Sequence, residues 1–234
     1  MLKRLLNFVK RFAIIHYMFK TERRQTMKTV NADIYLIRHA QSRENSGEEY
    51  MPEFTIDDAP LSELGKKQAQ ALAERFEPGD IDMIFSSTLI RTAQTMQPTA
   101  RKLGKPIIML PELMEAETLV RGTPREKVKL LIPEAVTPDE DVFLPDPESP
   151  EQMTARAESA IKKILDMGGD GCRVIAASHH DFFGYLIRAA LGLGLPATIR
   201  WSALNCSVTH IRLRENRLPE VMYSNDISHL KDME

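Results

Sequence analysis

The sequence predicts an α/β fold with a mostly parallel sheet, on three observations. Short strand-like runs recur along the chain, helical patterns lie between them, and cap residues mark where helices start or stop. The first run, Asp33-Ile34-Tyr35-Leu36-Ile37, is apolar on both alternating faces, as a strand buried on both sides must be. Ser62 is placed to cap a helix carrying Leu64, Ala69, Leu72 and Phe76. Ile81-Asp82-Met83-Ile84-Phe85 predicts a second strand, followed by a helix over about 89–103. A third helix runs over about 151–167 and stops at Gly168-Gly169. Arg173-Val174-Ile175-Ala176-Ala177 predicts a third strand, followed by a helix over about 181–191. Residues 208–213 and 218–223 read as a final hairpin around Glu215-Asn216-Arg217. Residues 133–150, rich in proline and acid, read as a loop or insertion on one face.

The chain has 234 residues, 43% of them hydrophobic and 27% charged, which fits one large domain or one domain with an appendage. The net charge of −2 hides an asymmetry: seven basic residues against Glu22 give residues 1–25 a charge of +6, so the remainder carries −8. The main body is therefore not a nucleic-acid binder. Residues 1–26 form a basic extension in which Leu2, Leu5, Leu6, Val9, Phe12 and Ala13 recur at helical spacing. This pattern suits peripheral contact with an anionic membrane or organelle targeting; packing on the domain, or a natural start at Met27, is the competing reading. Residues 27–234 form the domain, with an insertion or cap over about 116–150. No apolar run is long enough for a membrane span. Cys172 and Cys206 lie in no metal-ligand spacing and read as buried free thiols in a reducing, cytoplasmic setting.

Ligands of open α/β sheets bind beyond the carboxyl ends of the strands. Arg38-His39 follows the first strand there, Ser86-Ser87 the second with Arg91 one helical turn on, and Ser178-His179 the third. Two guanidiniums on one rim favour a multivalent oxyanion such as phosphate. A neutral imidazole can attack phosphorus, and arginines nearby disfavour imidazolium.

The joint pattern resembles a known family. Leu36-Ile37-Arg38-His39-Ala40-Gln41-Ser42 with Asn45 is similar to the signature of the histidine phosphatase superfamily, the phosphoglycerate mutase-like group. Four more blocks follow in order: Asp58 to Gly65 with Gln68-Ala69; Ser86 to Thr95; Glu148-Ser149 with Arg156; and Val174 to His179. The resemblance spans about 33–230. It implies a three-layer sandwich of the phosphoglycerate mutase-like type. It implies a phosphatase with His39 as the phosphorylated nucleophile and Arg38, Arg91 and His179 around the phosphoryl group. Gln41, Ser42 and Asn45 would contact phosphate or substrate. Leu113-Met114-Glu115 resembles the family's leucine-x-glutamate, which makes Glu115 the proton donor, with Glu112 and Glu117 as rivals. The substrate is then a small phosphorylated molecule, with a phosphoprotein as the alternative, and neither metal nor other cofactor is needed.

The sequence departs from the family pattern in three places. Ala40 replaces the usual glycine after the nucleophile. His180 replaces the glycine that often follows the second histidine, which makes it a candidate substrate contact. Thr118-Leu119-Val120-Arg121-Gly122 stands where the family has glycine-x-tryptophan-glutamate-glycine, which argues against a dedicated glycolytic mutase. A mutase-type phosphotransferase, a phosphatase acting on protein phosphohistidine, and a non-catalytic binding module on the same scaffold are the competing readings. His16, His210 and His229 read as structural. Arg121, Arg125, Lys127 and Lys129 read as the solvated face of a short helix.

Overall fold

The computed structural model describes residues 30–48, 58–116, 122–139, 147–194 and 200–231. The basic extension, Glu117 and part of the expected insertion lie outside these residues. Among those described, the chain runs β1 (Ala32–Arg38), α1 (Arg43–Ser46), α2 (Glu63–Ala73), β2 (Met83–Ser86), α3 (Ile90–Leu103), β3 (Ile107–Met109), a 3-10 turn (Pro111–Leu113), α4 (Arg125–Leu131) and β4 (Ala135–Val136). It continues through α5 (Pro150–Gly168), β5 (Cys172–Ser178), α6 (His180–Ala190), β6 (Val208–Leu213), β7 (Glu220–Asp226) and a second 3-10 turn (Ser228–Leu230). The strands make one sheet in the order β4-β3-β2-β5-β1-β6-β7. Neighbours from β4 through β1 pair in parallel; β6 runs antiparallel to both β1 and β7.

Strand periodicity makes the three layers. Ile34 and Leu36 of β1, with Val174 and Ala176 of β5, pack on one face against Met153, Ala157 and Ile161 of α5 and Phe182, Phe183 and Leu186 of α6. Ile37, Ile175 and Ala177 face the other way, onto Ala69 and Leu72 of α2 and Ile90, Ala93 and Met96 of α3. Both faces are apolar because both are covered by helices.

Ser62 caps α2 as the sequence predicts, accepting the Gly65 N–H at 3.0 Å. Ser149, which the sequence reading did not assign as a cap, forms a reciprocal capping box with Gln152 at the start of α5. The final hairpin forms, with Asn216 in the left-handed region of its turn. Its second strand starts at Glu220, two residues later than predicted. Pro219 offers no N–H to the ladder, and Leu218 is left exposed. Two strands go unpredicted, β3 and β4; β4 lies inside the stretch read as a loop, and neither is long enough to show a period. No described helix is long and apolar enough to cross a membrane. Both cysteines are buried free thiols.

Away from the candidate site, Asp33 ties β1 to β6. Its carboxylate accepts from His210 Nε2 at 2.6 Å, Arg212 Nε at 3.0 Å and Arg214 Nη2 at 2.7 Å. Burial works against its charge, yet these donors hold its pKa down at about 2. A carboxyl with a folded-state pKa below its unfolded value stabilises the fold above the unfolded pKa and loses that contribution as pH falls. The stability difference between the parental chain and Asp33→Asn is therefore expected to be largest near neutral pH and to shrink between about pH 5 and pH 2. Denaturant unfolding across that range checks it; a difference independent of pH would contradict it.

Candidate active site

Three strand ends build the rim. Arg38 sits opposite Ser178, and Ser86 opposite Ala177. Just beyond them the His39 N–H donates to the Ser178 carbonyl and the Ser87 N–H to the Ala177 carbonyl, each at 3.0 Å. β3 runs on through Leu110, whose N–H donates to the Ser86 carbonyl at 2.7 Å, into the 3-10 turn that delivers Glu115. Residues far apart in sequence thus meet because parallel strands end together.

His39 is 3% exposed. Its Nδ1 lies 2.8 Å from the Ala40 carbonyl oxygen. A carbonyl only accepts, so Nδ1 carries the hydrogen and, in a neutral ring, Nε2 keeps the lone pair. The ring's pKa is held well below the ordinary histidine value, by burial first and then by Arg91 and Arg38. The sequence assigned this effect to the arginines; removal from water is the larger cause. Ala40 is fully buried in the α2–α3 core, and its N–H donates to Thr95 Oγ1 at 2.9 Å, so the methyl group in place of glycine is packed.

The His179 ring lies 5.2 Å from that of His39, centroid to centroid. Its Nε2 meets Ser87 Oγ at 2.9 Å. Its Nδ1 is buried with no hydrogen-bond partner among the described residues, and so is Arg38 Nε. Burial, then Arg91 and His39, keeps His179 neutral. Arg38 Nη1 donates to the Ala203 carbonyl at 2.7 Å. Arg91 is buried at the start of α3, 4.0 Å from the Asp58 carboxylate, which also accepts the Ile90 N–H and both the N–H and hydroxyl of Thr123.

Glu115 Oε1 accepts from its neighbour Ala116 N–H at 2.9 Å and from Phe182 N–H, in the first turn of α6, at 3.0 Å. Burial raises its pKa above the ordinary carboxylate value against the pull of those two donors. The rival Glu112 is turned to Lys163 of α5, at 3.1 Å.

The remaining predicted contacts are engaged with the protein. Gln41 Oε1 accepts from the Ser62 hydroxyl at 2.7 Å. Ser42 is buried and caps α1: its hydroxyl accepts the Asn45 N–H, and Asn45 Oδ1 accepts the Ser42 N–H. Asn45 itself is exposed at the rim. His180 opens α6 and donates through Nδ1 to the Ala203 carbonyl at 3.1 Å, the same oxygen that Arg38 holds. Asn205 escaped the sequence reading. Its Nδ2 bridges the His39 carbonyl (3.1 Å) and Asn45 Oδ1 (3.0 Å). The signal was its place just before β6: a strand antiparallel to β1 begins at the rim where β1 ends.

Residues 34–226 match the family model described as "Histidine phosphatase superfamily (branch 1)". A probable phosphoglycerate mutase GpmB of Enterobacter sp. (strain 638) is 31% identical over 208 residues, covering 84% of this chain and 94% of that protein. The probable phosphoglycerate mutase GpmB of Cronobacter sakazakii is 28% identical over 206 residues, again with 84% and 94% covered. Among solved structures, the phosphoserine phosphatase of Entamoeba histolytica in complex with 3-phosphoglyceric acid superposes with a TM-score of 0.62 at 20% identity, covering 85% of this chain and 99% of that one. Bacillus stearothermophilus YhfR gives a TM-score of 0.62 at 23% identity, with 86% and 100% covered. At these identities the likeness to solved structures bears on the fold alone.

Proposed function

The chain belongs to the histidine phosphatase superfamily, branch 1, and from that premise we propose that it hydrolyses a small phosphomonoester through a phosphohistidine on His39. One observation carries the reading. A neutral His39, with Nδ1 tied down and Nε2 left as a lone pair, has its ring 5.2 Å from that of His179, and His179 Nδ1 and Arg38 Nε are buried with no hydrogen-bond partner among the described residues. Buried polar atoms are normally satisfied, so these two favour an anionic ligand at the rim.

Two steps follow. His39 Nε2 attacks phosphorus; the N–P bond forms as the bond to the ester oxygen breaks. Protonated Glu115 gives its proton to that oxygen, and the alcohol leaves. Positive charge left on the imidazole is eased by the Nδ1–H bond to the Ala40 carbonyl. Water then attacks the phosphohistidine, ionised Glu115 takes its proton, and phosphate departs from a restored neutral ring. Arg38, Arg91 and His179 hold the phosphoryl oxygens in both steps. The raised pKa of Glu115 supports a group that must be acid in one step and base in the next. In this scheme phosphoryl charge is balanced by guanidiniums, and no metal ion is required. The Entamoeba histolytica structures hold phosphoserine and 3-phosphoglyceric acid, which favours a small phosphorylated acid as the first class to try.

The purified chain should be assayed with phosphoserine, phosphoglycerates, sugar phosphates, nucleotides, phosphopeptides and p-nitrophenyl phosphate, with and without excess EDTA. The expected result is phosphate release undiminished by chelator, with an acid-labile phosphoenzyme in quenched samples. Interconversion of phosphoglycerates without phosphate release would favour the mutase reading. Neither turnover nor phosphoenzyme would favour a binding module.

A further inference from the structure

We propose that Arg156 of α5 is the positioning residue that sets Glu115 in place for proton transfer; the inference rests on the reading of Glu115 as proton donor. The Arg156 side chain is buried, and every arm of its guanidinium is engaged. Nη1 donates to the carbonyls of Glu112 (3.2 Å) and Met114 (2.7 Å), and Nη2 to the carbonyl of Glu115 itself (3.2 Å). Nε and Nη2 grip the two oxygens of buried Glu148 at 2.9 and 2.5 Å. The Leu113 carbonyl, the one member of this run that Arg156 does not take, accepts from Ser178 Oγ at 2.8 Å, next to His179. Four successive carbonyls are thus fixed, which leaves the peptide under Glu115 little freedom.

The same cation holds the other side of the carboxylate. Its plane lies over the Phe182 ring, 3.7 Å from guanidinium carbon to ring centroid. The Phe182 N–H is, with the Ala116 N–H, one of the two donors to Glu115 Oε1. One planar group therefore locks both the backbone that carries Glu115 and the helical turn that orients its carboxylate. Burying a cation is costly, and apolar packing of similar volume often holds a loop as well. A fork aimed at carbonyls on either side of an acid is better explained by the precision that proton transfer demands, where an error of about 1 Å can cost about 100-fold. Lysine keeps the charge but cannot present the fork.

Leaving-group dependence separates this role from a general packing role. p-Nitrophenolate leaves without a proton, whereas an alkoxide needs one. kcat/KM, which reports the steps through first cleavage, is measured for p-nitrophenyl phosphate and for the best alkyl phosphate of the panel above, on the parental chain, Arg156→Lys, Glu148→Gln and Glu115→Gln. Both substrates are assayed on one sample, so loss of folded protein cancels in their ratio. The alkyl-to-aryl ratio is expected to fall about 10- to 100-fold in Arg156→Lys, in the same direction but less in Glu148→Gln, and furthest in Glu115→Gln. A depressed ratio in Glu115→Gln with parental ratios in both other variants overturns the role of Arg156. A parental ratio in Glu115→Gln instead overturns the assignment of Glu115 as the donor. Should Arg156→Lys not be recovered folded, the Glu148→Gln ratio decides.

Discussion

Replacing His39 with alanine is expected to lower kcat/KM for p-nitrophenyl phosphate by about 10⁴-fold or more, the scale on which enzymes lose activity when a covalent nucleophile is removed. The loss falls on chemistry and not on the scaffold. The backbone of residue 39 keeps its bond to the Ser178 carbonyl, and its own carbonyl keeps the Cys206 N–H and Asn205 Nδ2. The proposed phosphate ligands Arg38, Arg91 and His179 are left unchanged. Inhibition by inorganic phosphate should therefore persist, the thermal midpoint should stay near the parental value, and kcat should collapse. His179 is a poor substitute nucleophile because its Nε2 is engaged with Ser87 and, in the proposed scheme, its Nδ1 carries the hydrogen that binds the phosphoryl group. Initial rates, phosphate inhibition and alkali-quenched labelling of the variant check these outcomes together. A variant that turns over at the parental rate would overturn the phosphohistidine reading.

What could be read in the sequence depended on whether its cause was local. The alternation of Ile34 and Leu36 with Tyr35 and Ile37 encodes burial on two faces, so the central strand and the layers were legible. Ser62 and the Gly169 that ends α5 encode helix ends through contacts three or four residues away. β3 and β4 have three and two residues, and no period exists to be seen. The site divides the same way. Arg38, His39, Arg91 and His179 follow strand ends or open the next helix, so topology alone predicts their meeting. Ser42 and Asn45 sit in a spacing that serves a substrate contact and an N-cap equally well; the structure commits the Ser42 hydroxyl to the cap. The restraints on Glu115 come from Phe182 and Arg156, 67 and 41 positions away. No local pattern carries them, and Asn205 is hidden for the same reason.

Two helical glycines should respond to alanine with opposite signs. In most helix interiors this change stabilises by roughly 0.4–1 kcal/mol, because it narrows the unfolded ensemble. Gly184 in α6 has room for it: among the described residues an added methyl would meet only the Trp201 backbone nitrogen, at 3.8 Å. Gly184→Ala is expected to raise the thermal midpoint slightly. Gly65 in α2 has none. Its methyl would collide with the Gln41 carbonyl oxygen and stand 2.9 Å from the Gln41 carbonyl carbon. That carbonyl cannot swing aside cheaply. It accepts from both the N–H and the hydroxyl of Ser62, while the Gln41 N–H donates to Gln68 Oε1. Relief must come from parting α2 from the loop that carries His39, two residues upstream. Backbone overpacking of this kind costs about 3 kcal/mol or more, which in a domain of this size lowers the midpoint by roughly 6–12 °C. The displaced loop should also lower kcat at temperatures where Gly65→Ala remains folded, because the nucleophile moves with it. Parallel thermal melts and rates of the two variants test the argument. Shifts of the same sign would show that the approach of α2 to Gln41 is soft, and that His39 does not depend on it for its position.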